Sequence, residues 1–331
     1  MTRSTNQIEH NGHLAATTWL LGVDGGGTKT CAAVAQIDTT GQISVLGRGH
    51  GGPGNPRATS LLEAQREILL AIQAAFAEAG RSPTPVAAVC LGLAGTGHPS
   101  TRSAMEQWCA QQKFAARWRV VHDAEIILRS GDNRGAGVAL ISGTGSLAYG
   151  CDLHGVTARA GGWGHVWGDE GSAYAMGVAA LRAVAQAADR RGASTQLKEV
   201  LLQHVGAESP NDLVPIFHPS PGARRLIAAL APLVFQCADG GDSVARQIVA
   251  QATNDLSAMV RSVAQSLAFE ASQYALVFAG GVLVRQPRFR ESVIRQLADW
   301  ALTPGSIHVA TEPVWGALRT AAALLTAPLD S

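Results

Sequence analysis

Three glycine-rich strings hold the residues best suited to chemistry. Residues 24–30 read Asp-Gly-Gly-Gly-Thr-Lys-Thr, residues 142–146 read Ser-Gly-Thr-Gly-Ser, and residues 278–281 read Phe-Ala-Gly-Gly. Glycine has no Cβ, so successive backbone N–H groups can converge on one anion, and phosphate is the anion such loops suit. Neither common phosphate motif fits. A P-loop puts lysine directly after its last glycine, and here Thr28 separates Gly27 from Lys29. A dinucleotide loop needs G-x-G-x-x-G, and counted from Gly25 the last position is Thr30.

The elements around these strings explain the misfit. Apolar runs predict strands at Trp19–Val23, Thr30–Ile37 and Ile43–Arg48, so the first glycines cap a strand–loop–strand hairpin. P-loops and dinucleotide loops both need a helix directly after the glycines. A helix is predicted over Thr59–Gly80 with Gly80 as its C-cap, then a strand at Val86–Leu93 and a second helix to about Ala116. A strand at Trp118–Val121 runs into His122 and Asp123. Gly137–Ser142 and Leu147–Cys151 then repeat the opening hairpin, with Thr144 in the place of Thr28. Such a recurrence points to two related α/β halves. Beyond it, helices are predicted over Ser172–Arg191, Thr195–Val205, Arg224–Asp239 and Ser243–Glu270. The strand Tyr274–Phe278, a helix over Phe289–Leu302, the strand Ser306–Ala310 and a last helix over Pro313–Thr326 complete the chain.

Bulk properties narrow the function classes. At 331 residues the chain suits roughly two domains. Its net charge of +1 offers no basic surplus for nucleic acid. The five cysteines stand far apart with no C-x-x-C, which reads as reduced thiols and gives no sign of a zinc or redox site. No apolar run is long enough to span a bilayer. Residues 1–18 lack the plan of a signal peptide and read as a flexible leader, which makes the cytoplasm the expected compartment.

Together these strings resemble the two phosphate hairpins and adenosine loop of the actin–sugar kinase–Hsp70 ATPase superfamily. Gly161-Gly162-Trp163-Gly164-His165 and Gly168-Asp169-Glu170-Gly171-Ser172 more narrowly resemble the N-acetylglucosamine kinases of the BadF/BadG/BcrA/BcrD ATPase family. The resemblance covers about residues 19–327. It implies an α/β protein of two actin-like ATPase (ribonuclease H-like) lobes flanking a nucleotide and sugar cleft. The lobes would be residues 19–133, rejoined by a returning segment 313–331, and residues 134–312, hinged between Asp123 and Gly137.

The resemblance also implies roles. ATP would be the phosphate donor, held by Gly26, Gly27 and Thr28, by Gly143, Thr144 and Gly145, and by Gly280 and Gly281 at adenine and ribose. Asp24 would hold Mg²⁺ through water. Lys29 reads either as a phosphate contact or, the favoured reading, as a side chain pointing outward from its strand. Asp123 would take the proton of the sugar hydroxyl that is phosphorylated; spacing alone equally allows a helix N-cap there. Asn55, Trp163, Gly164 and Asp169 would contact the sugar. The plain alternatives are a turn residue before Pro56 for Asn55 and an N-cap for Asp169. His122 reads as a strand-end residue, and His165 and Glu170 as braces or ligand contacts alike.

The implied reaction converts N-acetylglucosamine to N-acetylglucosamine 6-phosphate, in a homodimer. Glucosamine or N-acetylmuramate would suit the same base and ATP loops. A further alternative is an ATPase that activates an acyl-CoA dehydratase or reductase through an iron–sulfur cluster. It needs cysteine thiolates clustered at a subunit interface, and these cysteines do not cluster in sequence.

Overall fold

The computed structural model describes residues 18–131, 135–218 and 222–326. The expected leader lies outside them except for Thr18, which opens the first strand opposite Ile37 and is therefore no part of a leader. The chain divides into two compact units. One runs to Gly135 and takes up the chain again from Glu312; the other spans Ala136–Thr311.

The first unit contains β1 (Thr18–Gly25), β2 (Thr30–Ile37), β3 (Ile43–Gly51), α1 (Leu61–Glu78), β4 (Val86–Leu93), α2 (Pro99–Gln112), β5 (Ala115–His122) and α3 (Asp123–Gly131). Its sheet runs β3-β2-β1-β4-β5, with β1, β2 and β3 an antiparallel meander and β1, β4 and β5 parallel. Helices cover both faces, which is why β1 and β4 read as continuous apolar runs rather than alternating ones. On one face Ile68, Phe76, Met105 and Trp108 pack on Val89 and Leu91. On the other, Ile126 of α3 and Val314 and Leu318 of the chain's last helix, Val314–Thr326, pack on Leu20 and Ala88. That helix approaches α3 so closely that a Cβ on Gly316 would strike the Ile126 carbonyl oxygen. Arg319 Nη1 donates to the carbonyls of Arg129 and Ser130, both at 2.8 Å, and so caps the C-terminus of α3.

Two expectations change here. The helix predicted to Ala116 stops at Gln112, because Lys113 turns left-handed (φ 53) and Ala115 pairs with Val86 in the sheet. Much of the segment expected as a hinge after Asp123 is the helix α3.

The second unit contains β6 (Gly137–Ser142), β7 (Ser146–Cys151), β8 (Thr157–Gly161), α4 (Ala173–Ala188), α5 (Leu197–Val205), α6 (Leu213–Phe217), α7 (Ala223–Ala228), α8 (Ala231–Asp239), α9 (Ser243–Ser266), β9 (Ala275–Ala279), α10 (Gly281–Arg285), α11 (Pro287–Asp299) and β10 (Ser306–Val309). Its sheet runs β10-β9-β6-β7-β8. Strands β6, β7 and β8 form the antiparallel meander, and β6, β9 and β10 are parallel. Strand for strand this is the topology of the first unit, so the repeated hairpin belongs to a repeated fold. Leu140, Phe278, Leu256 and Val293 anchor its main core. The helix expected over Arg224–Asp239 is two, α7 and α8. Among the described residues no helix is long and apolar enough to cross a membrane.

Candidate active site

In the first unit the predicted residues gather at the C-terminal ends of β1, β4 and β5, the edge where open α/β sheets place ligands. Asp24 is the penultimate residue of β1. The turn that follows closes on itself, with Gly26 N donating to Lys29 O at 2.9 Å. Gly26 therefore already uses the N–H expected to meet phosphate. Gly27 and Thr28 occupy the exposed tip, and nothing lies within 4 Å of a Cβ placed on Gly27. Lys29 is exposed in the turn itself and not on β2. Gly54 N donates to Gly26 O at 3.0 Å, and Ala94 N to Gly25 O at 2.8 Å. These bonds bring the loop bearing Asn55 and the loop after β4 against the hairpin.

Asn55 Oδ1 accepts from Arg57 N at 2.9 Å, so this side chain shapes its own turn. Its amide nitrogen is the end suited to a ligand hydroxyl. Asp123 opens α3 directly after β5. Its Oδ1 accepts from Ala124 N at 3.0 Å and stands 2.8 Å from His122 Nδ1. Buried Thr96, unnoticed in the sequence, ties β4 to β5 beside it by donating to the carbonyls of Leu93 (2.7 Å) and Val121 (3.1 Å).

Burial of Asp24 pushes its pKa up to about 7, the charge of Asp123 pushes the same way, and Lys29 pulls against both. Two carboxylates thus share one field at the base of a glycine turn. This donor set fits Mg²⁺, which takes hard oxygens, few of them from protein, and keeps waters and phosphate oxygens for the rest. A divalent cation beside Asp24 would favour its charged form.

In the second unit, Gly143 N donates to Gly145 O at 2.9 Å, the counterpart of the Gly26 bond. Thr144 and Gly145 complete the tip. The loop expected to meet adenosine, at Gly280 and Gly281, touches this turn directly. Gly280 is left-handed (φ 86), and a Cβ there would strike the Ser142 carbonyl oxygen, so only glycine fits. A Cβ on Gly143 would meet Gly281 N at 3.6 Å, while Gly281 itself opens to free space.

The Trp/Gly segment is laced to the same turn. Ser142 Oγ donates to Gly171 O at 2.9 Å, Ser146 Oγ to Glu170 O at 2.6 Å, and Gly162 N to Ser146 O at 3.0 Å. Trp163 stays 64% exposed, with the Arg159 guanidinium 5.2 Å from its ring, and Gly164 beside it is left-handed (φ 85). His165 packs edge-on against Tyr174 of α4, so it braces the loop.

Asp169 differs most from its plain reading. It does not cap α4; Ser172 does, accepting from Ala175 N at 3.1 Å. The Asp169 backbone is left-handed (φ 62) and its side chain only 5% exposed. Oδ1 accepts from Ser146 N at 3.2 Å, and Oδ2 from Arg224 Nη2 at 2.8 Å. The expected sugar ligand is thus engaged with the second hairpin. Arg224, 55 residues away, was missed in the sequence, where nothing distinguishes it from its neighbour Arg225.

Similarity to known proteins agrees with this geometry. The sequence profile of the BadF/BadG/BcrA/BcrD ATPase family matches residues 21–318. The chain is 33% identical over 265 residues to the N-acetylmuramic acid/N-acetylglucosamine kinase of Clostridium acetobutylicum, covering 80% of this chain and 85% of that one. It is 26% identical over 306 residues to the N-acetyl-D-glucosamine kinase of Dictyostelium discoideum, covering 90% and 95%. The crystal structure of a candidate N-acetylglucosamine kinase from Chromobacterium violaceum superposes with a TM-score of 0.74 at 25% identity, over 94% of this chain and 100% of that one. The fold is the mixed α/β actin-like ATPase fold of sugar kinases, with one five-stranded sheet in each unit.

Proposed function

The chain belongs to the BadF/BadG/BcrA/BcrD ATPase family, and from that premise we propose that it is an ATP-dependent amino-sugar kinase that converts N-acetylglucosamine to N-acetylglucosamine 6-phosphate. The structural observation that carries this reading is the recurrence of one glycine hairpin at the same strand junction of two sheets with the same topology. A phosphoryl-transfer enzyme needs several sets of N–H donors on one polyphosphate and little covalent chemistry of its own.

Gly27 and Thr28 serve the phosphates from the first unit, and Thr144 and Gly145 from the second, with Gly26 and Gly143 setting the turns. Gly280 and Gly281 lie along adenine and ribose. Asp24 would hold Mg²⁺, which would supply positive charge to the phosphates. Asn55, Trp163 and Gly164 contact the sugar, and Asp169 offers its remaining acceptor positions. The Asp123 carboxylate accepts the proton of the sugar hydroxyl. The hydroxyl oxygen bonds to the γ-phosphorus as the bond to the bridging oxygen breaks, and ADP leaves.

The Clostridium relative is named for two sugars, which favours N-acetylmuramate as a second substrate. The thiols give no support to an iron–sulfur activator. No two of the five cysteines stand close in sequence, and Cys90, Cys109 and Cys237 are buried, whereas a cluster needs thiolates gathered at a subunit interface. We assign the enzyme to the cytoplasm, where ATP is supplied, and as a homodimer; analytical ultracentrifugation checks the latter. Coupled ADP release with N-acetylglucosamine, N-acetylmuramate and glucosamine tests the function. Turnover with none of them overturns it.

A further inference from the structure

We propose that Arg224 is a nucleotide-binding residue that grips the phosphate chain of ATP at the second glycine hairpin. The inference rests on the kinase reading and adds to it a cation that no sequence motif announces.

Three observations converge on this side chain. First, Arg224 is held in place. Its Nη2 donates at 2.8 Å to Asp169, whose own side chain is buried and whose other oxygen accepts from Ser146 N in the hairpin. Second, it lies against the turn. Nη2 is 3.1 Å from the position a Cβ on Gly145 would take, so the absence of that atom makes room for the guanidinium. Third, its hydrogen bonding is incomplete. Arginine carries five N–H donors in a planar fork, yet its Nε is buried without a partner among the described residues. The side chain as a whole is 41% exposed, so part of the fork beyond the enclosed Nε is reachable from solvent.

A guanidinium fixed against this turn adds full positive charge to the N–H donors of Thr144 and Gly145. Planar forks of this kind match phosphate oxygens two at a time, where a lysine acts only as a point charge. The ligand class is therefore the polyphosphate of a nucleoside di- or triphosphate, with Asp169 as the residue that positions the arginine.

The test uses the full chain and the variants Arg224→Ala and Arg224→Lys. Dissociation constants for ATP, ADP and adenosine are measured by calorimetry, with KM for sugar and kcat alongside. Arg224→Ala is expected to weaken ATP and ADP by about tenfold or more and to leave adenosine within about twofold. Arg224→Lys should regain part of that loss, and KM for sugar should stay near the wild-type value. Equal losses for adenosine and ATP, unchanged ATP binding, or a rise confined to the sugar KM would each overturn the proposal. Should Arg224→Ala fail to fold, Arg224→Lys decides alone, by a selective loss for the phosphorylated ligands or none. Wild-type protein without turnover on any amino sugar would fail the kinase reading instead, which separates the two.

Discussion

His122 Nδ1 stands 2.8 Å from Oδ1 of Asp123, and the Ala124 backbone N–H reaches the same oxygen at 3.0 Å. Both interactions fall on Oδ1, so Oδ2 is the oxygen suited to take a proton. The pair joins the last residue of a strand to the first of a helix, a junction with little freedom to turn.

Asp123→Asn should lower kcat by about 10²–10⁴-fold, the usual contribution of a positioned base. Sugar affinity measured by calorimetry should change by no more than about twofold, since an amide keeps most of the hydrogen bonding. A large loss of affinity with kcat intact would assign Asp123 to binding alone.

His122→Ala should lower kcat by about tenfold through a less ordered carboxylate, with KM for ATP unchanged. His122→Gln retains a donor and should recover part of the rate. Equal rates in both variants would remove His122 from the positioning of Asp123.

Asp24→Asn should abolish turnover and at the same time stabilise the protein at high pH. The folded-state pKa of Asp24 is raised from 3.8 to about 7. The folded protein therefore holds a proton that the unfolded chain releases, and the associated stability is complete below pH 3.8 and is lost as pH rises through 7. At pH 8 the charged carboxylate costs the fold up to about 4 kcal/mol. In scans without Mg²⁺ the variant should melt several degrees above wild type at pH 8 and level with it near pH 4. A difference of the same size at both pH values would show that the charge is not the cause.

Gly316→Ala should destabilise by about 1–3 kcal/mol, because its Cβ would meet the Ile126 carbonyl and push the last helix off α3. Thermal unfolding should show a lower Tm while activity per folded molecule persists. An unchanged Tm would mean that the two helices separate at little cost.

Much of the scaffold was legible locally. Thr30–Ile37 and Val86–Leu93 are strands within the limits expected, because each is an apolar run bounded by turn residues and buried on both faces of the sheet. Both glycine turns were legible for the same reason, since a turn's chemistry lies in its own few residues. Strand β8 was not, because Thr-Ala-Arg-Ala-Gly at a sheet edge carries no apolar run, and only pairing with β7 makes it a strand. The end of α2 was misplaced because Ala115 is claimed by β4, not by its own helix propensity.

The sequence by itself thus determined the paired hairpins, the acidic residues beside them and the family they resemble. Tertiary structure decided which side chains meet. It placed His122 on Asp123, turned Asp169 from a helix cap into a brace for the second hairpin, and brought Arg224 to that carboxylate across 55 residues. The physical reason is range. Hairpins and apolar strands are specified by neighbours in the chain, whereas an ion pair between a loop and a distant helix exists only once the intervening elements have packed.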